Sequence, residues 1–76
     1  MKKCYDVWVE YKGFDCDYDD KIEKVVGRSS VGGGFCLLGG VRDISFIFYQ
    51  EKAARRAASR VRRQCRRMNT KVRVEG

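Results

Sequence analysis

Eight cationic side chains crowd into one segment near the C-terminal end of the chain. They are Lys52, Arg55, Arg56, Arg60, Arg62, Arg63, Arg66 and Arg67. On a helix that turns about 100° per residue they cover an arc of roughly 160°, opposite an apolar stripe. The planar guanidinium group of arginine donates paired hydrogen bonds to phosphate and carboxylate groups. The pattern therefore indicates a surface that binds a polyanion, and nucleic acid is the favoured partner.

A solvated helix face is the competing interpretation of the same segment. Cations near the C-terminal end of a helix interact favourably with its dipole and need no ligand. Solvated faces usually mix charges of both signs, however, and use lysine as often as arginine. Here Glu51 is the one acid, and we expect no Glu–Arg pair at i,i+4 to neutralise the face. A contact surface is favoured, and both interpretations stay open.

The candidate binding residues come from two places in the chain. Those of the cationic segment are Arg55, Arg56, Arg60, Arg62, Arg63, Arg66 and Arg67. Trp8 is a further candidate, because the alternation of the first strand places it outside the core. An acidic protein surface is the alternative partner for the arginines.

The charge of the chain is divided unevenly. Residues 1–50 hold seven Lys/Arg against eight Asp/Glu, and residues 51–76 hold ten against two. The two parts therefore carry −1 and +8, which sum to the net +7 of the chain. At 76 residues we expect one domain with a thin core, because a chain this short buries only about 60% of its unfolded surface.

Catalytic chemistry finds no support in the residue types. The chain contains no histidine, so the usual base of a nucleophile–base pair is missing. The glycines at 32–34 match neither a dinucleotide-binding motif nor a P-loop, and a flexible entry to a hairpin is the favoured role. We therefore predict a protein that is not an enzyme, has no catalytic residues and needs no cofactor.

Metal binding is also disfavoured. Four acids cluster at Asp15, Asp17, Asp19 and Asp20, but they lack the spacing of a calcium loop, and helix capping explains them. The four cysteines contain no Cys-x-x-Cys pair, which argues against a zinc site. We expect reduced, mostly structural thiols and no metal.

Sequence signals for a membrane are lacking. The chain has no run of about 18 apolar residues, and Asp6 and Glu10 interrupt the segment where a signal peptide would lie. The stripe opposite the arginines is mostly alanine, without the Trp, Phe or Leu that an interfacial helix inserts. We expect a cytoplasmic protein with no membrane partner.

The predicted elements follow the order βαββαβ. They are strands over 3–12, 35–38, 41–50 and 70–74, a short helix from Asp15 that Gly27 stops, and a second helix from Glu51 to about Met68 with Asn69 as a left-handed cap. This order predicts an α+β fold, namely one ferredoxin-like sandwich over 1–76. In that fold two helices pack on one face of a four-stranded antiparallel sheet.

The third strand carries a motif similar to a known family. The run from Arg42 to Tyr49 resembles the RNA-recognition-motif signature, and residues 7–9 echo the shorter motif of that family. The resemblance implies that outward aromatic side chains stack on bases. Ile44, Asp43 and Ser45 depart from the family pattern.

The periodicity of the same strand predicts a different orientation from the one that the resemblance requires. Ile44, Phe46 and Phe48 form its more apolar face, so we expect them in the core. Asp43, Ser45, Ile47 and Tyr49 then lie outside. The family likeness is therefore interpreted mainly as shared strand order.

Two functions remain as hypotheses. The first is nucleic-acid binding, with the arginine helix laid against phosphates. The second is a protein–protein inhibitor or adaptor that docks on a nucleic-acid-handling partner. In size and style the chain is similar to accessory proteins of phages and mobile elements, including anti-CRISPR-type inhibitors. A sheet edge, or the open face around Trp8, also permits a homodimer.

Overall fold

The computed structural model describes residues 3–76 as four strands and two helices. They are β1 (Tyr5–Lys12), α1 (Cys16–Val26), β2 (Gly32–Cys36), β3 (Val41–Phe48), α2 (Glu51–Gln64) and β4 (Lys71–Glu75). The strands form one antiparallel sheet in the order β2-β3-β1-β4. The predicted α+β class, antiparallel sheet and helix pair are thus confirmed. Met1 and Lys2, which begin the segment considered for a signal peptide, lie outside the described residues.

The central strands β1 and β3 turn one face of the sheet into the core. Their alternation buries every second side chain, as predicted for β3. The buried set is Val7, Val9, Tyr11, Ile44, Phe46 and Phe48. These residues belong to one cluster with the buried residues of both helices, so the helices pack on the same face of the sheet. The opposite face is left uncovered by the elements of residues 3–76.

Helix α1 begins and ends as its sequence predicts. The Asp15 carboxylate accepts hydrogen bonds from the backbone N–H groups of Asp17, at 2.9 Å, and Tyr18, at 3.3 Å. Such a cap satisfies donors that have no partner inside the helix. At the other end Gly27 adopts a left-handed conformation with φ of 90°, which glycine enters without a Cβ penalty.

Helix α2 packs through small side chains. Ala54, Ala57, Ala58 and Val61 are buried, and Cys65 continues the stripe just past the last helical turn. Alanine projects little from the helix, which suits packing against large side chains, and the buried ring of Phe46 belongs to the same core cluster. The predicted apolar stripe is confirmed from Ala54 to Cys65, whereas Met68, its expected last member, lies beyond the helix and is half-buried.

The bounds of the second strand were predicted wrongly, although Phe35 and Cys36 do belong to it. Gly32, Gly33 and Gly34 belong to the strand rather than to a flexible entry, and they pair with residues 45, 44 and 43 of β3. Leu37 and Leu38, which were expected in the strand, lie in the turn that follows and are exposed. Glycine carries no side chain and therefore no periodicity, so the pattern could not reveal this pairing.

The predicted C-terminus of α2 was also wrong. The helix ends at Gln64 rather than near Met68, which leaves Arg66 and Arg67 in the turn before β4. Met68 and Asn69 both have positive φ, at 56° and 54°, so Asn69 is left-handed as expected but does not cap the helix. Met68 accepts a hydrogen bond of 2.7 Å from the Lys12 backbone N–H, which pulls the chain toward the sheet.

The cysteines are free, and they differ in surroundings. Cys65 is buried, and burial raises the pKa of its thiol. Cys4, Cys16 and Cys36 are exposed, so the expectation of mostly structural thiols is wrong for these three. Across residues 3–76, no three or more Cys, Asp or Glu side chains are grouped as a metal site would require.

Candidate nucleic-acid interface

The exposed cations of α2 and of the turn after it form one surface, which we call the basic surface. It comprises Lys52, Arg55, Arg56, Arg62, Arg63, Arg66 and Arg67. Ser59 lies at its centre on the helix, with arginines four and three residues before it and three and four residues after it. Residues at these spacings are neighbours on a helix surface, so four guanidinium groups surround this small side chain.

Arg60 does not belong to the basic surface, contrary to the sequence-based assignment. Its side chain is half-buried between the helices. Nε donates to the carbonyl oxygen of Val25 at 2.9 Å, and Nη2 donates to that of Val26 at 3.0 Å. These carbonyls belong to the last turn of α1, where helix geometry supplies no partner. Arg60 therefore joins α2 to α1.

Arg55 is partly neutralised, which corrects the expectation that no i,i+4 pair exists. Its Nη2 and Nε lie 2.9 and 3.1 Å from Oε2 of Glu51. Both side chains are largely exposed, so the pair stabilises the helix only slightly. The carboxylate does, however, lower the positive potential at the N-terminal end of the basic surface.

Arg62 reaches sideways to the edge of the sheet. Its Nη2 donates to the carbonyl oxygen of Val72 on β4 at 3.2 Å. The group stays exposed, and a guanidinium has five N–H donors, so donors remain for a ligand. Arg62 thus contacts β4 and still contributes to the basic surface.

Four other arginines of this surface are not bonded to any group of the protein that the structure describes. Within residues 3–76 the side chains of Arg56, Arg63, Arg66 and Arg67 make no hydrogen bond or ion pair, and all four are exposed. Arg56 and Arg63 line a shallow groove of about 400 Å³ along α2. The remaining residues of that groove are Lys52, Arg55, Ser59 and Arg60. Uncompensated guanidinium groups beside an open groove are suited to anionic oxygen atoms.

A second groove follows the other flank of α2 and includes a residue that the sequence-based assignment missed. This groove, of about 490 Å³, is lined by Arg55, Ser59, Arg62, Arg73 and Val74. Arg73 lies on the edge strand β4 and forms an ion pair of 2.9 Å with Glu75. The alternation of β4 in the sequence predicts that Arg73 points away from the core. That Arg73 also lies near α2 depends on how α2 packs against the sheet, which the alternation does not reveal.

The turn that carries Arg66 and Arg67 is fastened to α1. The Tyr18 hydroxyl lies 3.1 Å from the carbonyl oxygen of Arg67 and 2.5 Å from the Thr70 hydroxyl. The same carbonyl also accepts from Thr70 Oγ1 at 2.5 Å. These bonds hold the backbone of the turn in place, so its two arginines project from a defined position beside α2.

Trp8 is separated from the arginines. It lies on the uncovered face of the sheet, whereas α2 packs on the other face. Its ring is half-buried rather than exposed as expected, and the Arg73 guanidinium lies 5.3 Å from the ring centroid. Its indole Nε1 is inaccessible and has no hydrogen-bond partner among residues 3–76. Arg73 therefore contacts this ring and also lines the groove beside Arg62.

A polar network at the far end of the sheet holds α1 rather than forming a site. The Tyr11 hydroxyl donates to Asp19 at 2.5 Å, and Arg42 Nε forms an ion pair of 3.2 Å with the same carboxylate. Burial, followed by the hydrogen bond to Asp19, raises the pKa of Tyr11 to about 12. A tyrosine held in its neutral form is a poor base at ordinary pH, so this network is structural.

The geometry thus brings four of the seven predicted arginines together along the two grooves, namely Arg55, Arg56, Arg62 and Arg63. Arg66 and Arg67 follow in the turn after α2, Arg60 lines the first groove but is bonded to α1, and Trp8 lies on the other face of the sheet. Within the described residues neither helix is long and apolar enough to cross a membrane. The chain matches no protein-family model, no curated protein and no solved structure.

Proposed function

We propose that this protein binds nucleic acid through the basic surface and performs no catalysis. The observation that carries the proposal is that four arginine side chains are exposed and make no hydrogen bond or ion pair within residues 3–76. They are Arg56, Arg63, Arg66 and Arg67. Side chains that served only to solubilise the helix would be expected to alternate with acids. Here the surface concentrates positive charge that attracts phosphates and releases their counterions.

The mode of binding is contact with the sugar–phosphate backbone. One face of α2 is covered by the sheet, and its flanks are bordered by α1 and β4, so the helix is too embedded to enter a major groove. The basic surface also contains no aromatic side chain on which a base could stack. Both features favour binding that depends little on sequence and strongly on salt.

We also assign the fold, as part of the proposal, to the ferredoxin-like sandwiches. The element order βαββαβ and the sheet order β2-β3-β1-β4 support this assignment. In such an arrangement the helices cover one face of the sheet and leave the other free. The proposed binding surface is the helical side, so it differs from the sheet-face mode that the RNA-recognition motif uses.

The test is a binding titration with labelled nucleic acid. Fluorescence anisotropy is measured with a mixed-sequence DNA duplex and with a single strand, at low and at moderate salt. We expect binding at low salt that weakens steeply as salt increases. The double variant Arg56→Glu/Arg63→Glu should abolish it, because repulsion replaces two phosphate contacts.

A matched control separates the basic surface from overall charge. Lys12→Glu/Lys71→Glu changes the net charge by the same amount, but both residues lie on the uncovered face of the sheet. This variant should keep most of the binding. Loss of binding in both variants would mean that only net charge matters, and absence of binding to either nucleic acid at low salt would reject the proposal. An acidic protein surface would then be the remaining partner for the arginines.

A further inference from the structure

The β2 edge of the sheet lacks the features that normally prevent strands from pairing between molecules. Residues 31–40 contain no charged residue and no proline. Three of the five residues of β2 are glycines, so almost no side chains shield its outer backbone groups. Lysine, proline and bulges are the usual protection of edge strands. The opposite edge, β4, carries Lys71, Arg73 and Glu75 and is protected in this way.

Apolar side chains flank this unprotected strand. Val31 precedes it and is 62% exposed, and Leu37 follows it and is 86% exposed. Phe35 within the strand is 38% exposed and meets the ring of Phe14 edge to face, with centroids 5.5 Å apart. Leu38, at the tip of the turn, is fully exposed. Clustered exposed apolar residues of this kind mark association surfaces.

We propose that β2 pairs with β2 of a second copy of this chain, antiparallel and centred on Gly34. Gly34 is the middle residue of the strand, so a two-fold axis there places it opposite itself. Phe35 then lies opposite Gly33 of the second copy, and Cys36 opposite Gly32. Each larger side chain meets a glycine, so the two strands approach without a clash.

The same register accounts for the flanking residues. Val31, in the bend before the strand, and Leu37, in the turn after it, are each three residues from Gly34, so the two-fold axis brings each of them near its counterpart on the second copy. The exposed valine and leucine therefore cover each other. A self-complementary pattern of this kind fits an identical strand, and an uncharged edge does not suit a polyanion.

The charge distribution also favours a second copy. Helix α2 packs over β4 and β1, on the side of the sheet away from β2. Pairing through β2 therefore keeps the two basic surfaces at opposite ends of the dimer, where their repulsion is screened. Directly opposed residues of an antiparallel pair point to the same face, so both helix layers lie on one side of a continuous sheet.

One contact at this edge is compatible with the pairing. Arg42 Nη1 donates to the carbonyl oxygen of Gly34 at 3.2 Å. Gly34 lies opposite Asp43, whose carbonyl faces β2, so the Gly34 carbonyl is directed at β3 and the pairing with a second copy does not need it as an acceptor. The guanidinium of Arg42 is itself held by Asp19, which keeps it over the protein's own sheet.

Sedimentation equilibrium without nucleic acid tests the dimer, so the result does not depend on the proposed function. The wild-type protein should show concentration-dependent dimers, and Gly34→Lys should be monomeric because two lysines would meet at the axis. A Cβ at Gly34 meets nothing closer than 3.7 Å, so the monomer accommodates this residue. Gly34→Ala is the matched control and should still dimerise. A wild-type monomer at all concentrations, or a dimer that Gly34→Lys leaves intact, would overturn the proposal.

Disulfide trapping tests the register. In a chain with Cys4, Cys16 and Cys36 replaced by serine, Gly34→Cys should form an interchain disulfide when oxidised glutathione accepts the electrons and protons. Directly opposed residues have Cα atoms about 4.5–5.5 Å apart, within the range of a disulfide. Leu38→Cys in the same background should remain unlinked. Equal cross-linking at both positions, or none at 34, would contradict the register and with it the dimer.

Discussion

Arg60 on α2 donates a hydrogen bond from Nε to the backbone carbonyl oxygen of Val25 on α1, at 2.9 Å. Three residues further along the same helix, Arg63 is exposed and its side chain has no partner within residues 3–76. Arg60 and Arg63, which look equivalent in the sequence, therefore have different roles. The first stabilises the packing of the helices, and the second is available to a ligand.

Removing Arg60 should destabilise the protein. We expect Arg60→Ala to lower the free energy of unfolding by about 1–3 kcal/mol, because two charge-assisted hydrogen bonds to the end of α1 are lost. Urea denaturation measures this change. Arg63→Ala is the control and should alter stability by less than about 0.5 kcal/mol. Equal losses in the two variants would contradict the structural role of Arg60.

The salt dependence of nucleic-acid binding should distinguish the exposed arginines Arg56 and Arg63 from Arg60. For duplex DNA, a plot of the logarithm of the binding constant against the logarithm of the salt concentration has a negative slope. The slope becomes shallower by about 0.9 for each phosphate contact removed. Arg56→Ala/Arg63→Ala should therefore reduce the slope by about 2 units. Arg60→Ala, where it remains folded, should leave the slope unchanged. An unchanged slope in the double variant would exclude these arginines from phosphate contact.

Releasing Arg55 from its acid should strengthen binding. Glu51→Gln removes the carboxylate 2.9 Å from Arg55 Nη2 and should raise the affinity for nucleic acid about two- to fivefold at low salt. Anisotropy titrations measure the change, and circular dichroism checks the helix. Asp43→Asn removes one negative charge on the other face of the sheet and should have little effect. A similar gain in both variants would indicate a response to net charge alone.

Stability should decline at high pH because of Tyr11. Its pKa rises from 10.0 in the unfolded chain to about 12 in the folded protein, so the stabilisation is complete below pH 10 and is lost as the pH approaches 12. Two pKa units correspond to roughly 2–3 kcal/mol. Unfolding curves between these pH values measure the loss. Tyr11→Phe should be less stable at neutral pH and show a shallower decline, and an identical decline would contradict the assignment.

Two adjacent glycines of β2 should respond differently to alanine. A Cβ at Gly33 would lie 2.8 Å from the carbonyl oxygen of Asp43, so Gly33→Ala should cost about 1–3 kcal/mol. Gly34 has room for a Cβ, and Gly34→Ala should be neutral or stabilising by up to about 1 kcal/mol. Thermal unfolding at one fixed protein concentration compares them. Equal stability would contradict the close approach of β2 and β3 at Gly33.

Much of the fold could be predicted from local patterns. The orientation of Phe46 and Phe48 follows from alternation, because a strand has only two faces and one of them is apolar. Asp15 and Gly27 mark the limits of α1, because their backbone and side-chain chemistry suits helix ends. These features depend on neighbouring residues in the chain, and a single sequence contains that information.

The remaining features depend on contacts between distant segments. The glycines of β2 become a strand because β3 supplies hydrogen-bond partners, and no side-chain pattern records this. Helix α2 ends at Gln64 although the cationic pattern continues to Arg67, and the next contact with the sheet is the hydrogen bond from Lys12 to the Met68 carbonyl oxygen. The assignment of Arg60 requires the end of α1 to be placed beside α2. Residue type alone could not separate it from Arg63.

The central position of β1 has a consequence for the rate of folding. Its partners lie far along the chain, since Tyr5 pairs with Phe48 and Asp6 with Glu75. Pairings of such large sequence separation slow folding, because long loops must close before the contacts form. The alanine stripe of α2 packs against both α1 and the sheet, so its packing is incomplete until this sheet exists. We therefore expect this protein to fold more slowly than a helical bundle of the same length.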